Sequence, residues 1–89
     1  MKAKIKVPNE QKSIAMKNLE KELPQGLKDV QEILTVDGLG ISLKQGWVLV
    51  RPSGTEPVIR ITCEAQSAEL VEAILNETKG IVEEVIGSL

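Results

Sequence analysis

Trp47-Val48-Leu49-Val50-Arg51-Pro52-Ser53-Gly54-Thr55-Glu56-Pro57-Val58-Ile59-Arg60-Ile61-Thr62-Cys63 is the stretch that decides how this chain folds. Trp47 to Arg51 reads as one strand, Val58 to Ala65 as the next, and the run between them as a loop. In the second run Ile59, Ile61 and Cys63 point one way, and Arg60, Thr62 and Glu64 the other, as successive side chains of a strand do. Such a split suggests an antiparallel sheet with one buried face. The middle run, Arg51 to Pro57, holds two prolines, a glycine and two hydroxyl residues, which marks a loop. Its chemistry suits an anion with several oxygens. Arg51 offers a planar fork of donors with a fixed charge. Ser53 and Thr55 each add a hydroxyl. Gly54 can take positive φ and so turn successive backbone N–H groups inward as a nest. The lysine and longer spacing of a P-loop are missing, and no helical pattern follows at once. Residue types alone leave two readings open: an anion site, or a hairpin connection with a solvated arginine.

Working outward toward the C-terminus, Ser67 is placed to cap a helix, with Glu69 and Glu72 near its positive end. Leu70, Val71, Ile74, Thr78, Ile81, Val82 and Val85 make a broad apolar stripe to about Ile86, and Gly87 is a natural stop. Gly80 interrupts this helix and either permits close packing or marks a fraying point. Toward the N-terminus, Lys44-Gln45-Gly46 reads as a turn. Leu39, Ile41 and Leu43 alternate as a strand, and Asp37-Gly38 is a turn signal. A further strand is expected within Val30–Val36, centred on Ile33-Leu34-Thr35-Val36. Ala15, Leu19 and Leu23 repeat at helical spacing from Glu10 to about Leu23, with Ile14 and Met16 widening the stripe. Asn9 is the expected cap and Pro24-Gln25-Gly26 the expected stop. Lys12, Lys17, Lys21, Glu20 and Glu22 read as its solvated face. Lys4-Ile5-Lys6-Val7 alternates as a first strand. The order is β-α-β-β-β-β-α. It predicts an α+β sandwich of two layers, a mostly antiparallel sheet with two helices on one face.

Composition narrows the function. The 89 residues allow a single domain over 1–89 with a modest core. Trp47 is the only aromatic, so the core must be built from Ile, Leu and Val. Net charge is -2 and there is no histidine. An acidic chain without stacking platforms argues against nucleic acid as a partner. No apolar run is long enough to span a membrane, and the N-terminus lacks a signal-peptide hydrophobic region. A single cysteine, Cys63, cannot form an internal disulfide, which fits a cytoplasmic location. Without histidine, Ser-His-Asp catalysis and a Cys/His zinc site are both excluded within this chain. No clustered Asp spacing suggests a carboxylate metal site. Trp47 is expected in the core or packed on a loop, and Cys63 as a buried, inert thiol. Arg60 either reaches the same anion as Arg51 or pairs with Glu56 or Glu64. Glu56 is read as an orienting partner for an arginine.

The run Arg51-Pro52-Ser53-Gly54-Thr55-Glu56-Pro57, followed by Arg60 and by Glu64-Ala65, resembles the signature of the C-terminal domain of the α-D-phosphohexomutases. That family comprises phosphoglucomutases, phosphomannomutases and phosphoglucosamine mutases, and the loop is most similar to the last. The resemblance covers most of the chain in element order, and the first thirty or so residues match in pattern only. It implies a TATA-binding-protein-like fold. It implies that Arg51, Ser53, Gly54 and Thr55 grip the phosphate of a phosphosugar that is not being transferred, with Glu56 and Arg60 as secondary candidates, Glu56 as an alternative acceptor for a sugar hydroxyl. It implies no catalytic residue and no metal ligand here: the family keeps its phosphoserine, its Mg²⁺ loop and its sugar-specificity loop in three earlier domains, none of which this chain contains. The expected partners are thus a phosphosugar and the other three domains of a parent mutase that interconverts hexose 6-phosphate and hexose 1-phosphate. The alternative is a stand-alone phosphate-binding or regulatory module without mutase activity.

Overall fold

The alternation in Val58–Ala65 makes that segment the strand to which most of the molecule attaches. In the computed structural model, which describes residues 1–89, it is β5, flanked by β1 (Lys2–Lys6) and β4 (Gly46–Pro52). Beyond β4 lie β3 (Leu39–Leu43) and β2 (Val30–Leu34), giving the sheet order β1-β5-β4-β3-β2. Every neighbouring pair is antiparallel. Strands β2 to β5 follow one another as hairpins, while β1 closes the far edge beside β5. Two helices, α1 (Lys12–Gly26) and α2 (Ala68–Gly87), complete the α+β architecture. α2 packs over β5 and β1, and α1 over β3 and β4, so both helices cover one face and leave the other open.

The covered face of the sheet is aliphatic but for the Cys63 thiol. Ile59, Ile61 and Cys63 of β5 meet Val48 and Val50 of β4 and Leu39 and Ile41 of β3, all essentially inaccessible to water. α1 contributes Ala15, Leu19 and Leu23, and α2 contributes Leu75, Val82 and Val85. Each fully buried Leu, Ile or Val contributes about 1.5–3 kcal/mol of transfer free energy. The core is therefore stabilised by many equivalent aliphatic contacts instead of by a few aromatic anchors.

Several expectations need correction. α1 does not begin at an Asn9 cap. Asn9–Gln11 form a 3₁₀ turn, and α1 starts at Lys12 with no side-chain cap. At its other end α1 runs through Pro24 to Gly26. A proline is disfavoured inside a helix because its ring and missing N–H oppose the preceding turn. Pro24 stands in the last turn, with only Gln25 and Gly26 after it, and Leu27 N–H still reaches Leu23 O at 3.2 Å. At Gly26 a Cβ would lie 2.5 Å from Ile81 Cδ1, so the end of α1 touches α2 directly, and a larger residue there requires the Ile81 side chain to move. Ile14 does not widen the buried stripe but is exposed. β2 ends at Leu34, so residues 35–38 form the turn to β3, and Gly38 takes φ 112. Val36, expected in a strand, is 85% exposed in that turn. Trp47 is not in the core. It lies opposite Glu64 on the open face of the sheet, 38% exposed. Gly80 has open space around it and mediates no close packing. The Ser67 cap is as expected, with Oγ accepting from Leu70 N–H at 3.2 Å. No helix is long and apolar enough to cross a membrane.

Candidate anion-binding loop

β4 and β5 bring the arginines together by register. Arg51 lies directly opposite Arg60, and Lys4 of β1 lies opposite Arg60 on its other side. Residues directly opposite share a face, so Lys4, Arg60 and Arg51 form a row of cations across three strands on the open face. Like charges in that position repel. One carboxylate partly compensates: Glu56 Oε1 accepts from Arg60 Nη2 at 2.7 Å and from Lys4 Nζ at 3.3 Å. All three groups are well exposed, so these pairs are worth little stability by themselves. Their effect is positional, since they hold the acidic residue of the loop against β5 and β1. The Arg51 guanidinium makes no ion pair or hydrogen bond within the chain and is exposed. Of the two arginines, Arg60 thus takes the Glu56 partnership, and Arg51 is left available.

The loop between them is built by Ser53. Its N–H donates to Val58 O at 3.0 Å and closes the strand ends. Its Oγ is turned inward, accepting from Thr55 N–H at 3.3 Å and Glu56 N–H at 3.1 Å. Ser53 is buried, and its hydroxyl proton is taken by no acceptor in the chain. The expected backbone nest therefore does not form in the expected way. Gly54 does not adopt positive φ, and the amides of Thr55 and Glu56 are directed to the serine oxygen. What remains free on the loop is the Gly54 N–H, the Thr55 hydroxyl and the Arg51 guanidinium, all on exposed residues. Pro57 O accepts from Val7 N–H at 2.9 Å, which ties the loop to the end of β1.

Lys12 is the residue that sequence reading missed. The helical pattern assigns it to a solvated face. In the structure its Nζ donates to Ser53 O at 2.7 Å and to Glu56 O at 2.6 Å. One signal was present in the sequence: a cation in the first turn of a helix opposes the helix dipole.

The principal clefts of the molecule do not include Arg51, Gly54 or Thr55. The free donors stand on an open surface, and a second surface is needed to enclose anything they bind. No group of three or more Cys, Asp or Glu lies close enough to hold a metal ion, so these residues do not fit a Mg²⁺ centre. Cys63 is fully buried with Sγ directed at Val71 O, and burial pushes its thiol pKa up. A thiol so disposed is poorly suited to nucleophilic chemistry.

The family described as phosphoglucomutase/phosphomannomutase, C-terminal domain, has a sequence profile that matches residues 3–81. A probable phosphoglucosamine mutase of Methanothermobacter thermautotrophicus is 47% identical over 85 residues, covering 94% of this chain and 19% of that protein. A probable phosphoglucosamine mutase of Pyrococcus furiosus is 38% identical over 86 residues, covering 97% of this chain and 19% of its own length. A crystal structure of a phosphoglucomutase/phosphomannomutase family protein from Burkholderia thailandensis superposes with a TM-score of 0.66 over 96% of this chain and 18% of its own, at 21% identity. That likeness concerns the fold. The chain spans 19% of the length of the curated relatives it matches.

Proposed function

This chain belongs to the family of phosphoglucomutase/phosphomannomutase C-terminal domains, and we propose that within a longer mutase it grips the phosphate group of a phosphosugar. The observation that carries this reading is the unengaged donor set. Arg51, held at the end of β4 opposite Arg60 with no carboxylate of its own, belongs to the same seven-residue run as the free Gly54 N–H and Thr55 hydroxyl. A phosphate dianion relieves the repulsion between the arginines and satisfies these donors together. Ser53, with its hydroxyl proton uncommitted, shapes the loop and remains a fourth candidate donor. Glu56 keeps Arg60 oriented.

The reaction this supports is the interconversion of hexose 6-phosphate and hexose 1-phosphate by a parent isomerase, with glucosamine phosphate as the first candidate substrate. The phosphoserine and the Mg²⁺ of such an enzyme are assigned to its other domains, and no step through either is built on the residues here. This chain's own contribution is orientation and water exclusion, which make up a large part of catalysis in phosphoryl transfer. An open half-site also implies that the chain alone holds phosphosugars weakly and does not turn them over. We place the parent enzyme in the cytoplasm.

The test is a titration of glucosamine 6-phosphate into isotopically labelled protein. The amide signals of residues 51–56 are expected to move first and furthest. Shifts confined to α1 and α2, with the loop silent, would remove the assignment.

A further inference from the structure

We propose that Lys12 is a positioning residue that aims the free backbone N–H of the loop at the bound anion. The inference rests on the phosphate reading of the loop given above. It starts from the peptide unit that joins Ser53 to Gly54. In a planar trans peptide the C=O and the N–H point in opposite directions. Lys12 Nζ holds Ser53 O at 2.7 Å, so the Gly54 N–H on the same peptide is directed away from Lys12. That N–H is the one backbone donor at the loop tip with no partner in the chain. An ammonium on the carbonyl side also polarises the peptide and strengthens the N–H as a donor.

The second bond, to Glu56 O at 2.6 Å, fixes the other end of the tip, so that Gly54 and Thr55 are bracketed by two carbonyls on one cation. Carbonyl oxygens aimed at Lys12 are not available to repel an anion. No carboxylate pairs with Lys12, so its charge is not cancelled locally. It is half-buried, as a side chain holding a defined contact is, whereas its neighbours Ser13 and Ile14 are exposed. The 3₁₀ turn at Asn9–Gln11 places the start of α1 beside the loop, bringing together residues 41 and 44 positions apart.

The experiment compares the labelled 89-residue chain with Lys12→Met, Lys12→Gln and Lys12→Arg. Two readouts are taken: hydrogen exchange at the Thr55 and Glu56 amides without ligand, and the dissociation constant and Gly54 shift on titration with glucosamine 6-phosphate. Lys12→Met is expected to speed exchange at both amides about tenfold and to weaken binding about tenfold. Protection at Ile61 and Val50 is expected to stay unchanged. Lys12→Arg, which keeps charge and donors, is expected to recover most of both losses, and Lys12→Gln, a single neutral donor group, to fall between. Where Lys12→Met loses core protection, the Gln and Arg variants carry the comparison. Loop exchange and affinity both within about twofold of wild type overturn the proposal. Faster exchange with unchanged affinity also overturns it, by reducing Lys12 to a strut. Weaker binding with unchanged exchange overturns it too, leaving only long-range charge. If the wild-type loop ignores the phosphosugar, the phosphate reading itself fails and the positioning role falls with it. The exchange rates then still report whether Lys12 holds the loop.

Discussion

The two faces of the β4–β5 hairpin are made from the same residues in alternation, yet they obey opposite rules. On the covered face Val48, Val50, Ile59, Ile61 and Cys63 are fully buried, aliphatic but for the inert thiol, and interchangeable in chemistry. On the open face Trp47, Leu49, Arg51, Arg60, Thr62 and Glu64 share little except their exposure to water. There Arg51 and Arg60 face one another at a cost that folding does not require. A fold optimised for stability alone would put a carboxylate opposite one of them. The contrast teaches that stability and binding are separated here by a single residue step along a strand. A substitution at position n should change one property, and at n+1 the other.

The largest expected effect lies on the covered face. Ile61 is fully buried in a strand paired on both sides, opposite Val50 and Ala3. Ile61→Ala is expected to lower stability by about 2–5 kcal/mol, through lost transfer energy and a cavity that the neighbours fill only in part. A domain of this size has about 5–13 kcal/mol in total, so the loss is a large fraction. Thr62→Ala, one step along and outward, is expected to stay within about 0.5 kcal/mol. Urea unfolding of both variants checks the pair. Equal losses at the two positions would break the separation of the faces.

The next effect lies on the open face and in the other property. A guanidinium gripping a phosphate makes charge-assisted bonds worth about 1.5–3 kcal/mol each. Arg51→Ala is expected to weaken glucosamine 6-phosphate binding by about 2–4 kcal/mol, roughly 30- to 1,000-fold. Arg51→Lys keeps the charge but loses the fork, so it should recover only part. Thermal stability should hold or rise slightly in Arg51→Ala, because a cross-strand repulsion with Arg60 is removed. Calorimetric binding and a melting curve on the same sample decide it. Affinity within about twofold of wild type would sink the assignment of Arg51, and unfolding would make it a structural residue.

The sequence carried the element order, the bounds of β5 and the aliphatic core, because period-2 and helical patterns report burial directly. Ala15, Leu19 and Leu23 are all fully buried, as their spacing requires. It failed where a residue's role depends on a distant partner. Lys12 looks like any helix-surface lysine until α1 is laid beside the loop and its Nζ meets Ser53 O and Glu56 O. The same holds for Ser53, whose inward turn of Oγ is a property of the closed loop and not of its residue type. Trp47 misled for a different reason. A large aromatic is usually buried, but the alternation of β4 puts Trp47 in step with Leu49 and Arg51, on the face that no helix covers. β2 misled because an edge strand needs no buried face: Ile33 and Leu34 are apolar yet exposed.

The smallest expected effect concerns a polar atom on the wrong side of this division. Thr78 belongs to the covered side, on α2, with no exposed surface, and its Oγ1 has no hydrogen-bond partner. A helical threonine usually returns its hydroxyl to the carbonyl one turn back, here Ile74 O, but this one does not. Leaving a buried hydroxyl unpaired costs about 1–3 kcal/mol relative to a paired one. Valine has nearly the same shape and the same branching, so Thr78→Val removes the penalty without opening a cavity. The change is expected to stabilise the protein by about 1 kcal/mol, a rise of about 4–8 °C in melting temperature for a domain of this size. Thr78→Ser is the control: it keeps the hydroxyl, deletes the methyl, and should be destabilising. Phosphosugar binding should be the same in both variants, because α2 packs on the face of the sheet opposite Arg51. A lower melting temperature for Thr78→Val would mean that the hydroxyl has a partner in solution, such as a buried water, and that the covered face tolerates polarity better than its composition implies.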